Sequence, residues 1–180
     1  MANINKTIRG KLSEIELAYI AGIIDGEGCI SMSRNRTKRQ RQKNPKYQSE
    51  ICIINTNKDL MDWLKIKIGG LVNARPRNNE RWKIAYHWRI KESLHSDFLK
   101  AILPYLVIKK KQAELIVEYW EVKTKQYRQG KRWDMSSEEL SKREYYYQEM
   151  KILNAKGNPE HLQRLNESTP QGDATVRTIQ

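Results

Sequence analysis

The chain has 180 residues, which is long enough for one domain with a hydrophobic core and a short appendage. Its 34 Lys and Arg residues outnumber 21 Asp and Glu residues, and the resulting net charge of +13 is typical of proteins that bind nucleic acid. No apolar run approaches the roughly 20 residues of a membrane span, and residues 1–10 lack the apolar core of a signal peptide. We therefore expect an intracellular protein with no membrane partner.

The first predicted helix begins after Ser13, because Ser13 and Glu16 have the spacing of a capping box. It runs to about Asp25, where two glycines, Gly26 and Gly28, end it. Two strands are predicted next, from position 29 and over about 47–55. The polar and strongly basic segment between them, about 34–46, predicts a long hairpin tip.

The second half of the core repeats this order. A helix is predicted over about 58–68, followed by strands over about 71–77 and 81–90 that a turn at Asn78 and Asn79 connects. Further helices are predicted over about 93–103 and 110–123, and another begins near Ser136. The predicted domain plan is a core over 13–123, a helical extension over 124–160 and a disordered tail over 161–180.

Two carboxylates, Asp25 and Glu27, follow the apolar first helix. Negative charge at a helix C-terminus opposes the helix macrodipole at a cost of a few tenths to about 1 kcal/mol. A bound divalent cation would compensate for this cost, and carboxylate and carbonyl oxygens are the ligands that Mg²⁺ prefers. The sequence alone leaves open both a metal site and a pair of solvated carboxylates.

Small residues on the same helix predict a close packing contact. Ala18 and Gly22 are four residues apart, as are Ala21 and Asp25, so each pair shares one face of the helix. Either a second helix packs on this face or the small residues lie beneath a core side chain. Both alternatives remain open at this point.

Alternating polar side chains in the four strands predict a sheet with one apolar face and one polar, basic face. A two-stranded ribbon can enter the major groove of DNA, and alternating side chains can then reach base edges. A solvated face would alternate in the same way, but the excess of cations favours nucleic acid. Lys110 and Lys111 lie at the N-terminus of the predicted helix over 110–123, where their positive charge opposes the helix dipole. Contact with phosphate would explain their presence there. The predicted DNA contacts are Ser31, Ser33, Asn35, Arg36, Lys38, Arg39, Arg41, Gln48, Glu50, Arg75, Arg77, Arg81, Lys83, His87, Lys110 and Lys111.

The two cysteines and three histidines do not have the spacing of a zinc site. Cys29 and Cys52 lie in strand-like apolar runs, and we expect both to be small buried side chains in a reducing compartment.

The run Ile20-Ala21-Gly22-Ile23-Ile24-Asp25-Gly26-Glu27-Gly28 closely resembles the signature of LAGLIDADG homing endonucleases. The predicted αββαββα order is similar to the core of that family, and residues 104–113 resemble its segment after the fourth strand. The resemblance covers about 14–123 and implies an α+β fold. In that fold, helices back a four-stranded antiparallel DNA-binding sheet, and the C-terminal helix is an extension.

The resemblance also implies a function and a set of site residues. A chain with one motif is expected to form a homodimer through Ala18, Ala21 and Gly22, with Asp25 organising that interface. Glu27 is expected to bind the metal with the Gly26 carbonyl, while Lys109 and Asn57 are the other expected catalytic residues. The expected cofactor is Mg²⁺, with Mn²⁺ as a substitute and Ca²⁺ binding without supporting cleavage.

The implied reaction is the cutting of a long, pseudo-palindromic DNA duplex across its minor groove. It is expected to leave 3′ overhangs with 5′-phosphate and 3′-hydroxyl ends. An intron-encoded origin implies a location in an organelle or in a prokaryotic or phage cytoplasm. The alternatives are an RNA-binding maturase that assists splicing of its own intron, and a DNA-binding regulator. A regulator would have no need of Glu27.

Overall fold

The computed structural model describes residues 8–35, 44–76, 81–123 and 135–155. The chain alternates helices and strands in the predicted order. Three short 3₁₀ turns lie at Ile8–Gly10, Glu92–Leu94 and Leu103–Tyr105. The elements are α1 Glu14–Glu27, β1 Gly28–Asn35, β2 Lys46–Asn55, α2 Lys58–Ile68, β3 Leu71–Arg75, β4 Ala85–Arg89, α3 His95–Ile102, α4 Lys110–Val122 and α5 Ser137–Asn154. Among the described helices, none is long and apolar enough to cross a membrane.

The four strands form one antiparallel sheet in the order β1-β2-β4-β3. The pairing of Ile30 with Ile51, and of Ile53 with Trp88, places these side chains together on one face of the sheet. That face packs against the helices, and its central side chains are fully buried. The prediction of an α+β fold with helices on one face is confirmed.

Strand β4 is shorter than predicted, because it begins at Ala85 and not at position 81. Ala85 pairs with Arg75, the last residue of β3, and the residue that follows the strand is Pro76. A proline has no amide proton to donate to the ladder, so pairing stops there. Trp82 and Ile84, which fall within the predicted strand over 81–90, lie outside β4 and are 60% and 48% exposed.

Two glycines fix the entry into β3. Gly69 and Gly70 have φ angles of 94° and 93°, a region that other residues rarely adopt. A Cβ on Gly70 would also lie 2.4 Å from the Arg89 carbonyl oxygen, so the chain could not approach β4 this closely with a side chain there.

Helix α5 packs on β1 and α4 and does not form a separate unit. Asn154 donates a hydrogen bond from Nδ2 to the Ile30 carbonyl at 3.0 Å, and Glu144 pairs with Arg34 at 2.7 Å. Because β1 is an edge strand, its outer backbone groups need partners from outside the sheet. The predicted tail over 161–180 and most of the predicted hairpin tip lie outside the described residues.

Candidate active site and nucleic-acid interface

Helix α1 delivers its carboxylates to the edge of the sheet. Its N-terminus is fixed by the predicted capping box, in which the Glu16 amide donates to Ser13 Oγ and the Glu16 carboxylate accepts from the Ser13 amide. The helix runs to Glu27, two residues beyond the predicted end, and β1 follows at once. Gly28 permits this sharp transition, because a Cβ there would lie 2.7 Å from the Ile24 Cα.

Asp25 accepts hydrogen bonds from a distant part of its own chain. Its carboxylate accepts three backbone hydrogen bonds, from Val107 at 2.7 Å, Ile108 at 3.1 Å and Lys109 at 2.8 Å. Partial burial works to raise the pKa of Asp25, but the three amide donors outweigh it and lower that pKa below its usual value. The charge that the macrodipole disfavours is therefore stabilised by three backbone amides.

Lys109 lies against the end of α1. Its Nζ donates to the Ile24 carbonyl at 3.0 Å and also to the Asp25 carbonyl. The last carbonyls of a helix lack intrahelical partners and carry partial negative charge, so a lysine there is well placed. Lys110 and Lys111 are exposed in the first turn of α4.

Glu27 is exposed at the last position of α1, next to the exposed Gly26. One of its carboxylate oxygens accepts a hydrogen bond from Asn55 Nδ2, at the end of β2. Asn55 is therefore the residue beside the predicted metal ligand, and sequence reasoning missed it. The signal was present, since Asn55 continues the buried alternation of Ile51 and Ile53 with a polar side chain.

Asn57, for which the family resemblance implies a catalytic role, caps a helix and contacts Asn55 in the observed fold. Its side chain accepts the Leu60 amide at 3.0 Å and caps the N-terminus of α2. Its backbone amide donates to Asn55 Oδ1 at 2.7 Å and so orients the residue that contacts Glu27. Asn55 is therefore the asparagine in contact with Glu27, and a catalytic role for Asn57 stays a prediction.

The small residues of α1 divide between two faces. Ala18 and Gly22 are exposed, and a Cβ added to Gly22 would meet no atom within 4 Å. Ala21 is fully buried in the core of its own chain, so it does not share that face. Ile15 and Tyr19 extend the exposed surface and are 83% and 55% exposed.

The second face of the sheet carries the predicted polar alternation. Ser31, Ser33, Asn35, Gln48 and Glu50 share it, as the pairing of Ser31 with Glu50 and of Ser33 with Gln48 requires. Arg75 and His87 lie on the same face of β3 and β4. Most of these side chains are exposed or half-buried, whereas His87 is 4% exposed.

Charged side chains on this face contact one another. Arg75 donates to His87 Nδ1 at 2.8 Å, and Arg89 lies 3.9 Å from the Glu50 carboxylate. Burial, together with the nearby Arg75 and Arg89 cations, lowers the pKa of His87 below its usual value.

The remaining predicted DNA contacts lie elsewhere. Arg81 and Lys83 are exposed in the segment before β4 and do not belong to a strand. Arg36, Lys38, Arg39, Arg41 and Arg77 fall outside the described residues.

The cysteines differ from prediction in part, since Cys52 is buried but Cys29 is exposed. The two residues face each other across β1 and β2. A hydrogen bond from the Cys52 thiol lowers the pKa of Cys29 to about 6 and raises the pKa of Cys52 itself.

An exposed helix-terminal carboxylate beside the open face of an antiparallel sheet suits a metal-dependent enzyme that acts on nucleic acid. The chain matches the LAGLIDADG endonuclease family over residues 20–117, which is more than half of its length. It therefore belongs to that family, and its assignment as a DNA endonuclease is confirmed at that level. Comparison with curated proteins finds no match.

Solved structures share the fold at low identity. I-CvuI, in complex with the I-CreI target and 2 mM Mg, is 17% identical with a TM-score of 0.61, over 85% of this chain and 96% of that chain. I-Vdi141I, an archaeal intron-encoded homing endonuclease complexed with DNA, is 15% identical with a TM-score of 0.60, over 86% and 96% of the two chains. I-LtrWI, bound to target DNA, is 21% identical with a TM-score of 0.54, over 77% of this chain and 45% of that chain.

Proposed function

We propose that this protein is a site-specific endonuclease that makes a double-strand cut in a long DNA target. The observation that carries the proposal is the exposed Glu27 carboxylate, which Asn55 contacts at the point where α1 meets the sheet. Lys109 Nζ lies at the same helix end, and the polar face of the sheet begins at the next residues of the chain. Structural relatives solved with DNA support the same type of ligand.

The oxygen donors at this helix end fit a hard divalent cation. Glu27 offers a carboxylate and Gly26 a main-chain carbonyl, and both residues are exposed. These are ligands for Mg²⁺, with Mn²⁺ as a substitute, and we propose that Ca²⁺ binds without supporting cleavage. When bound, the metal supplies a nucleophile from water and stabilises the leaving 3′-oxygen.

The side chains around Glu27 have separate roles in this proposal. Asn55 orients the Glu27 carboxylate and can hold a water molecule, while the Asn57 amide fixes the Asn55 side chain. Lys109 provides a positive charge close to the scissile phosphate, and its contacts with the Ile24 and Asp25 carbonyls set its position.

The proposed enzyme is a homodimer that forms through α1. Ala18 and Gly22 are exposed, and the open space over Gly22 would let a second α1 helix approach closely. A two-fold axis there would bring two Glu27 residues together and match a pseudo-palindromic target. The proposed products carry 3′ overhangs with 5′-phosphate and 3′-hydroxyl ends.

The second candidate is an RNA-binding intron maturase that uses the same basic sheet face. An intron-encoded origin, and with it a location in an organelle or in a prokaryotic or phage cytoplasm, belongs to either proposal. The contact between Glu27 and Asn55 favours cleavage, because RNA binding alone does not need a carboxylate presented in this way.

Cleavage is tested by digesting intronless copies of candidate host genes, and a randomised duplex library, with and without Mg²⁺. We expect a single metal-dependent cut with 3′ overhangs, and we expect Glu27→Gln to bind the same duplex without cutting it. If Glu27→Gln still cut DNA, the proposed metal-binding role of Glu27 would be wrong. Binding of intron RNA without any DNA cut would favour the maturase.

A further inference from the structure

A group of metal-binding side chains lies on the open face of the sheet. Glu50 and Cys52 on β2 and His87 on β4 each place a potential ligand atom within 4.8 Å of the others. Glu50 and Cys52 are two residues apart on one strand, whereas His87 is distant in the sequence, and it is the pairing of β2 with β4 that brings His87 to them. Glu27 and Asn55 do not belong to the group.

His87 provides an independent sign of a missing ligand. The residue is only 4% exposed, and its Nδ1 accepts a hydrogen bond from Arg75 at 2.8 Å. Its Nε2 is buried and has no hydrogen-bond partner within the described ranges. A buried polar atom without a partner costs about 1–3 kcal/mol, and a ligand bound at Nε2 would remove that cost.

Cys29 can supply a fourth donor. It lies directly opposite Cys52 in the pairing of β1 with β2, on the face of the sheet that carries Glu50 and His87. One imidazole nitrogen, two thiolate sulfurs and one carboxylate oxygen are ligands typical of Zn²⁺, whereas Mg²⁺ prefers oxygen ligands throughout.

Nearby arginines set a condition on this site. Arg75 lies against His87, and Arg89 lies 3.9 Å from the Glu50 carboxylate. With both thiols and Glu50 deprotonated, a Zn²⁺ site carries a net charge of about −1. The positive charges of Arg75 and Arg89 compensate for that negative charge. Coordination through Nε2 leaves the ring proton on Nδ1, which requires Arg75 to move away from that nitrogen.

We propose that Glu50, Cys52 and His87, completed by Cys29, form a binding site for a thiophilic divalent cation of the zinc class. The ion links β1, β2 and β4 on the face of the sheet that the proposed function assigns to DNA. Binding releases the thiol protons to solvent and involves no change of oxidation state. The proposal is independent of nuclease activity, since it concerns metal binding by the free protein.

The test uses the untagged full chain, reduced with a phosphine and freed of metal, and titrated with Co²⁺. We expect one ion per chain and a thiolate-to-cobalt charge-transfer band that Zn²⁺ displaces. Cys52→Ser should weaken the band, the double variant Cys29→Ser and Cys52→Ser should abolish it, and His87→Gln should weaken binding at least about tenfold. Glu27→Gln and His161→Gln are matched controls that should retain the band. Absence of the band in the wild-type protein, its full strength in Cys52→Ser, or its survival in the double variant overturns the proposal.

A second variant keeps the test decisive if Cys52→Ser does not fold. Glu50 is half-buried, so Glu50→Gln preserves the shape of the site while it removes a charged ligand. We expect Zn²⁺ to raise the thermal unfolding midpoint of the wild-type protein and to have little effect on Glu50→Gln. Equal shifts in both proteins would overturn the proposal, whether or not the protein cleaves DNA.

Discussion

Asp25 and Lys109 hold each other through both main chain and side chain. The Asp25 carboxylate accepts the Lys109 amide at 2.8 Å, and Lys109 Nζ donates to the Asp25 carbonyl. Lys109 Nζ supplies a donor for the last carbonyls of α1, and the Asp25 carboxylate supplies an acceptor for the backbone amides in the turn before α4. The last turn of α1 and the turn before α4 are therefore fixed relative to each other, and with them the positions of Glu27 and Lys109.

Removing the Asp25 carboxylate should destabilise the protein. Asp25→Ala leaves the amides of residues 107–109 without their acceptor, and we expect the free energy of unfolding to fall by about 1–3 kcal/mol. Urea denaturation measures this change. Asp62→Ala is the control, because it removes only a surface ion pair with Lys58 and should cost less than about 1 kcal/mol. Equal losses would show that the Asp25 contacts do not hold the turn.

Lys109→Met should impair cleavage more than it impairs binding. Methionine keeps much of the side-chain length and removes the ammonium group that contacts the end of α1. We expect a loss of about 10²-fold or more in the single-turnover cleavage rate, with a much smaller change in DNA affinity. Lys110→Met is the matched control on the exposed surface of α4. A similar rate loss in both variants would point to general charge and would contradict a specific role for Lys109.

The two asparagines should separate cleavage from folding. Asn55→Ala removes the donor to Glu27, and we expect slower cleavage with specific DNA binding retained. Asn57→Ala keeps the backbone amide that orients Asn55 and loses the helix cap, so it should lower stability by about 0.5–2 kcal/mol. Its folded fraction should still cleave DNA. Asn57→Ser, which can cap the helix, should recover the stability. A cleavage defect in folded Asn57→Ala alone would instead indicate that Asn57 has the catalytic role that the family resemblance implies.

Local patterns predicted most of the fold. The capping box at Ser13, the alternation in β1 and β2, and the glycine pair after α2 each depend on neighbouring residues, so the sequence is sufficient to locate them. The early end of pairing between β3 and β4 was missed although its local cause, Pro76, was visible. The predicted strands over about 71–77 and 81–90 both extended past this point.

The site was less predictable because its contacts join distant parts of the chain. Asp25 binds amides 82 to 84 residues away, and Asn55 lies beside Glu27 across 28 residues. Chain spacing suggested no zinc site, yet strand pairing places Cys52 near His87. The family resemblance pointed to Glu27 and Lys109, but the strand register decides which asparagine lies beside Glu27.

Gly22→Leu should separate folding from association. No atom lies within 4 Å of a Cβ at Gly22, so the monomer can accept a side chain there. Because leucine favours helix more than glycine, we expect the monomer to be about 0.5–1 kcal/mol more stable. The proposed dimer should be lost, and cleavage with it, because the two α1 helices cannot approach closely. Sedimentation measures association. Ala21→Leu, at a fully buried position, should instead destabilise the monomer. An active Gly22→Leu dimer would contradict this interface.

His95 should make stability depend on pH. It lies in a buried polar cluster, where Ser49 Oγ is 2.7 Å from Nδ1 and the Ile90 carbonyl is 3.3 Å from Nε2. Burial is the main reason that the pKa of His95 is lowered, although the Ile90 carbonyl and nearby carboxylates oppose the shift. The unfolded chain therefore binds a proton more readily than the folded chain does. The stabilisation is complete above the unfolded pKa of about 6.5 and is lost as pH falls through the folded value.

The expected contribution of His95 is at most one proton, or about 1.4 kcal/mol per pH unit. The measurement follows the free energy of unfolding of the wild-type protein and of His95→Gln from about pH 7.5 to 5, and compares the two slopes. This range of about 2.5 units brackets the reference pKa of histidine. The variant should be less stable at pH 7.5 because it disturbs the contacts with Ser49 and Ile90, yet its stability should fall less steeply below about pH 6.5. Comparing slopes cancels the contribution of carboxylates that both proteins share. Parallel curves would mean that His95 titrates alike in the folded and unfolded chains.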